Sequence, residues 1–291
     1  MKKFILTDET IEMFGVTLHR IKAVRSFGNV KEGDLGGFVE KEENISENFK
    51  AWVYCNAKVW GNAEVLGNAK VLGNAKVLGN AKVLGNAEVL GNAEVWDNAE
   101  VSGNAKVLGN AKVWGNAKVL GNAEVWDNAK VLGNAEVWDN AEVFGNAKVL
   151  GNAKVSGNAK VWGNAKVWDN AEVWDNAEVL GNAEVWDNAE VFGNAKVLGN
   201  AEVLGNAKVL GNAEVWDNAD YIVFKNWWSS GRYFTWTRSN NMWSVGCFYG
   251  TGEELIKKAY ADSEKSGREY ERVVKFVQSI LEDDNNQEKS L

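Results

Sequence analysis

Twenty-seven consecutive hexads, running from Asn56 to Asp217 without an insertion, read Asn-Ala-(Lys/Glu)-Val-X-(Gly/Asp). A helix turns every ~3.6 residues and would scatter the valines around its whole cylinder, whereas a short strand plus a corner stays in register with a period of six. The block is therefore expected to form a β-solenoid. Strand alternation within Ala-(Lys/Glu)-Val-X sends Ala and Val inward and sends the charge and X outward. Gly/Asp-Asn makes the corner, because these residues tolerate left-handed backbone angles and Asn can bond its own backbone.

A hexad cannot stand alone. Burying one Val contributes at least ~1.5 kcal/mol, while ordering six residues costs about 6–12 kcal/mol, so coils must stack and the open ends of the stack need caps.

The pairing of Val59 with Ala63, Val65 with Ala69 and their successors, an aliphatic residue followed four positions later by a small one, resembles the hexapeptide-repeat left-handed β-helix family. The resemblance implies three hexads per triangular coil, a left-handed path, and in many relatives a trimer of parallel rods with acyltransferase activity. The fold class expected is an all-β solenoid, a left-handed parallel β-helix with eighteen residues per coil. About nine coils would make a rod roughly 43 Å long at strand spacing.

Three segments follow: an N-terminal hairpin cap over residues 1–43, the β-helix over 44–220, and a small C-terminal α+β module with an acidic tail over 221–291. In the first, 4–6, 10–13 and 16–24 read as strands around a turn at Phe14-Gly15, and 33–39 reads as a tight turn into an imperfect coil near Ile45. In the last, 221–224, 232–237 and 242–248 read as strands. Capping boxes at Thr251/Glu254 and Ser266/Glu269 predict helices over 252–264 and 267–282, with a frayed tail beyond. Both flanks, notably GDLGGFVEKEEN at 33–44 and the aromatic run at 226–255, resemble the termini of uncharacterised hexapeptide-repeat proteins common in phage and prophage genomes.

The chemistry available is narrow. The family's acyltransferases use a His as general base between subunits, and this chain has one, His19, in the hairpin. No hexad is interrupted by the loop that walls an acceptor site in those relatives. Cys55 stands at a corner and Cys247 in an expected strand, with no second His to activate either. Corner aspartates such as Asp97, Asp127 and Asp139 read as solvated turns rather than cation ligands. The sequence offers no Cys/His metal cluster and no Gly-rich phosphate loop opening a helix, so no metal or cofactor is expected and catalysis is rejected. Two distant cysteines make no disulfide framework, and neither a signal core nor a membrane span is evident; the cytoplasm is the expected compartment.

X is Trp, Leu or Phe everywhere except Ser102 and Ser156. Three such faces would expose more apolar surface than a soluble monomer tolerates. Either a homo-oligomer, a trimer by resemblance, covers part of it, or stacked ladders simply stiffen the coil. Sorting by eighteen separates one face with outward Trp60, Trp96, Trp114, Trp168 and Trp186. Its charge column runs Lys58, Lys76, Glu94, Lys112, Lys130, Lys148, Lys166, Glu184, Glu202, with five of eight neighbours like-charged. The other two columns alternate sign with a single like-charged neighbour each. This Lys/Trp face is expected to meet an anionic protein or a nucleotide; nucleic acid is disfavoured by a net charge of -8. Against a selected face stands the recurrence of 132–153 at 180–201. That shift of 48 residues is not a multiple of eighteen, as expansion blind to faces would produce. In the C-terminal module Trp227, Trp228, Arg232, Trp236, Arg238 and Trp243 read either as a recognition surface or as the core of a lid.

Overall fold

The computed structural model describes residues 2–288, with side chains through Asp283. Each hexad contributes a two-residue strand, such as Lys58–Val59, that pairs in parallel with the strand eighteen residues on, Lys76–Val77. Three sheets thus run the length of the solenoid, named here by their first charged repeat residue. The Lys58 sheet has twelve strands including the N-terminal ones, the Glu64 sheet nine, and the Lys70 sheet ten.

Every repeat Ala and Val from Ala57 to Val215 is buried, so the alternation read from the sequence fixes the inside and outside of each coil. Three backbone bonds per hexad join a coil to the next: Lys58 N to Ala75 O at 2.9 Å, Trp60 N to Val77 O at 3.1 Å, Asn62 N to Gly79 O at 2.7 Å. Corner residues hold positive φ, 69° at Gly67 and 62° at Asp97. A Cβ on Gly67 would stand 2.8 Å from the carbonyl oxygen of Gly85, so corners stack at close quarters. The corner asparagines are exposed and stack into columns, Asn116 Nδ2 donating to Asn134 Oδ1 at 2.9 Å and Asn134 to Asn152 at 2.9 Å. Such amide ladders satisfy a donor and an acceptor on every rung and explain why Asn never varies.

At the N-terminus β1 (Phe4–Met13) and β2 (Val16–Ala23) form an antiparallel hairpin, as expected. The segment expected to be a turn at 33–39 is instead largely strand β3 (Leu35–Val39), antiparallel to β2 and parallel to Lys58–Val59. It converts an antiparallel hairpin into the first rung of a parallel stack. Gly36 and Gly37 permit this, because a Cβ on either would collide with the carbonyls of Val53 and Ala57 respectively. Ile45 bridges in parallel to Val65, where the imperfect coil was expected.

At the C-terminus four antiparallel strands, Tyr221–Lys225, Tyr233–Thr237, Met242–Val245 and Phe248–Gly250, pack on α1 (Gly252–Asp262) and α2 (Glu264–Glu288). A turn at Gly246-Cys247 splits the third expected strand and places Cys247 in the turn. The α1 box is present, with Thr251 accepting from Glu254 N and Glu254 from Thr251 N. The second helix starts earlier than its expected box, since Ser263 Oγ accepts from Ser266 N at 3.1 Å and caps it first. The tail expected to fray after Glu282 continues as helix to Glu288; its last residues, 289–291, lie outside the described residues.

Candidate binding face

The Lys58 sheet is the face singled out by charge, and the register confirms its column: Glu94 pairs with Lys112, then Lys112 with Lys130, Lys130 with Lys148, Lys148 with Lys166, and Lys166 with Glu184. A carboxylate stands at each end, Glu94 shared between Lys76 at 3.1 Å and Lys112. Lys112 Nζ lies 3.4 Å from Glu94, and Lys166 Nζ lies 2.5 Å from Glu184. Between them Lys130 and Lys148 have no ion pair or hydrogen bond among the described residues.

The outward row beside this column has the same symmetry. Trp96 and Trp114 stack at 4.9 Å, Trp168 and Trp186 stack at 5.1 Å, and Leu132 and Leu150 form the lower stretch between the two pairs. Lys112 Nζ stands 4.7 Å above the Trp114 ring. The adjoining corner is Gly115, Gly133 and Gly151 along this window, with Asp97 before it and Asp169 after it. On that side Lys112, Lys130 and Lys148 therefore have no carboxylate in their own hexads, while Lys166 has Asp169. On the other side Asp127 closes the hexad that precedes Lys130.

On the other two sheets most neighbours are opposite in charge, the exceptions being Glu124 on Glu142 and Glu172 on Glu190. On the Lys70 sheet Lys70 meets Glu88 at 2.8 Å and Lys106 meets Glu124 at 2.8 Å; each hydrogen bond raises its lysine's pKa above the usual value. Lys58, stacked on Lys76, shows the opposite, its pKa lowered first by burial and then by its neighbour's charge.

Several expected site residues lie elsewhere. Trp60 is only 6% exposed, packed with Leu18 and Phe38 beneath the N-terminal hairpin, so the open face begins lower. In the module Trp228, Trp236 and Trp243 are core residues. Trp228 meets Tyr270 edge-on at 5.2 Å, and Trp236 Nε1 donates to Asn241 Oδ1 at 2.8 Å. Trp227, at 78% exposure, and the exposed Arg232 and Arg238 remain on the surface. The X residues are mostly half-buried by stacking on one another, with Trp174 and Trp216 the exposed exceptions in the repeat. The apolar faces are thus less open than a coil-by-coil reading implies.

His19 lies on β2 with Nδ1 3.1 Å from Thr7 O. Asp97, Asp127 and Asp139 occupy three different corners rather than one line down the rod.

Side-chain oxygens of Asn218, just before the module, and of the module itself close the solenoid's lower end. Glu202 N donates to Asn218 Oδ1 at 2.8 Å, Lys208 N to Thr235 Oγ1 at 2.8 Å, and Glu214 N to Ser239 Oγ at 2.7 Å, one for each sheet. The sequence signal for these caps is the run of hydroxyl and amide residues between Thr235 and Asn241.

No protein-family model matches the chain, and no curated protein matches it.

Proposed function

We propose that this chain is a non-catalytic β-solenoid scaffold that recognises an anionic partner through Lys112, Lys130, Lys148 and Lys166. The observation that carries the reading is the pair Lys130–Lys148, two stacked lysines without an ion pair at the centre of a run of four, in a rod whose other columns each hold a single like-charged pair, Glu124–Glu142 and Glu172–Glu190. Stacked like charges cost stability at sheet spacing. A bound anion reverses that cost, and Leu132 and Leu150 beside the column add apolar contact for an acidic protein segment.

The hexapeptide pattern supports membership of the left-handed β-helix family, and with it association of rods into a homo-oligomer. Resemblance of the flanks supports a phage or prophage setting, in which sequestering or blocking a host component is the role we assign. A cytoplasmic location belongs to the same reading; among the described residues no helix is long and apolar enough to cross a membrane.

The test is a titration of the full chain with a Glu-rich peptide containing leucines, at two salt concentrations, against the K130E/K148E variant. Binding that weakens with salt and is lost in the variant supports the reading. Equal binding by both chains, or none by either, rejects it. Adenosine triphosphate in a parallel titration separates a nucleotide ligand from an acidic protein.

A further inference from the structure

On the Glu64 sheet, three successive coils present Trp138, Ser156 and Trp174 outward. The Lys70 sheet presents Trp126, Phe144 and Trp162 in the same arrangement. There the phenyl ring of Phe144 fills the space between the two indoles, its centroid 4.8 Å from one and 4.4 Å from the other. At Ser156 the middle rung is missing. What remains is a slot of about 250 Å³ lined by Trp138, Lys154, Ser156, Glu172 and Trp174.

The slot has built walls and a polar floor. Phe192 supports Trp174 from the far side at 5.4 Å, while the near face of Trp174 stays open, leaving it 40% exposed. Ser156 is 8% exposed, and its hydroxyl has no hydrogen-bond partner among the described residues. The Lys154–Glu172 ion pair, 3.1 Å long, borders the slot. An apolar cavity of about 150 Å³ is enough to admit benzene, so this space takes a single substituted ring.

We propose that the slot binds one phenolic ring, stacked between Trp138 and Trp174 with its hydroxyl bonded to Ser156 Oγ. The protein displays the filled form of this site in its own Trp126-Phe144-Trp162 sandwich. Ring-on-indole stacking supplies affinity, and the ring's hydroxyl gives the unpartnered Ser156 Oγ a hydrogen bond. Ser102 leaves a similar gap on the same sheet, but Leu84 and Leu120 flank it and provide no aromatic walls. The ring can be a free phenol or a tyrosine side chain of a partner protein; the chemistry is shared.

Calorimetric titration of the full chain with p-cresol, N-acetyl-tyrosinamide and toluene tests this. The expected result is saturable binding at one site for the two phenols and at least fivefold weaker binding of toluene. Ser156→Phe supplies the rung, raises Tm and abolishes binding; Trp174→Ala weakens it at least tenfold. Tighter binding of p-cresol identifies a free phenol as the ligand, and tighter binding of N-acetyl-tyrosinamide a partner's tyrosine. No binding of either phenol to the natural chain, or undiminished binding to both variants, overturns the proposal.

Discussion

Thr235 Oγ1 accepts the backbone N–H of Lys208 at 2.8 Å, the place that an alanine carbonyl of the following coil takes for the repeat's other charged residues on that sheet. The module thus imitates a further coil with side chains, satisfying the sheet without offering a new edge. Thr235→Val keeps the shape and removes the acceptor. A buried donor left unsatisfied costs about 1–3 kcal/mol, so chemical denaturation should show a loss toward the lower end of that range at this half-buried bond, and Ser239→Ala a smaller one at Glu214, whose bond is exposed. Unchanged stability in both would mean that water replaces the lid's oxygens.

Removing the lid should change assembly. A chain ending at Ala219 loses Thr235, Ser239 and the Tyr221 hydroxyl that donates to Glu202 O at 2.9 Å. The edges at Lys208 and Glu214 then lose their caps and face solvent, a template for pairing with another chain. Light scattering should show mass rising with concentration for this truncation and constant mass for the full chain. A rod-face oligomer would instead keep the same stoichiometry in both.

Lys3 gives the fold a pH signature. It is fully buried at the top of the solenoid, with Nζ donating to Ala51 O at 2.8 Å. Burial holds its pKa at about 8 against 10.5 for a free lysine, with Glu47 opposing the shift and Arg25 adding to it. Between those values the unfolded chain binds more protons than the folded one, so this group's contribution makes stability rise with pH from about 8 to about 10.5 and stay flat below. The difference in Tm between the natural chain and Lys3→Met, measured across that range, should shift in the natural chain's favour as pH rises. A difference independent of pH would show Lys3 keeping an ordinary pKa.

How much of this was written in the sequence depends on whether a residue's surroundings repeat. The burial of Val59 or Ala63 follows from the hexad alone, because the same neighbours recur eighteen residues away. Trp60 has the same local sequence as Trp114, yet the hairpin covers it; only its place in the first regular coil distinguishes it, and the hairpin's path is not periodic. Trp228, Trp236 and Trp243 look like recognition residues by composition, but a module this short must build its core from the aromatics it has. Leu35–Val39 hides as a strand because Gly36 and Gly37, ordinary turn residues, are there for close backbone approach instead. The lysine column was legible as charges. Its symmetry with the Trp-Trp-Leu-Leu-Trp-Trp row follows from the same sorting by eighteen, whereas the lack of an ion pair at Lys130 and Lys148 is a matter of side-chain geometry.

That symmetry sets charge against stability. In the column from Glu94 to Glu184, Lys112, Lys130, Lys148 and Lys166 make three like-charged contacts. Lys130→Glu leaves one, between Lys148 and Lys166. Each relieved pair is worth roughly 0.2–1 kcal/mol, so the substitution should raise stability by about 1 kcal/mol at low ionic strength and by less in high salt, where exposed charges are screened. The same change removes the centre of the proposed anion site. A variant both more stable and unable to bind would mark the lysines as kept for recognition. A variant no more stable would mean that the long side chains already splay apart, and the column would then carry no strain for a partner to relieve.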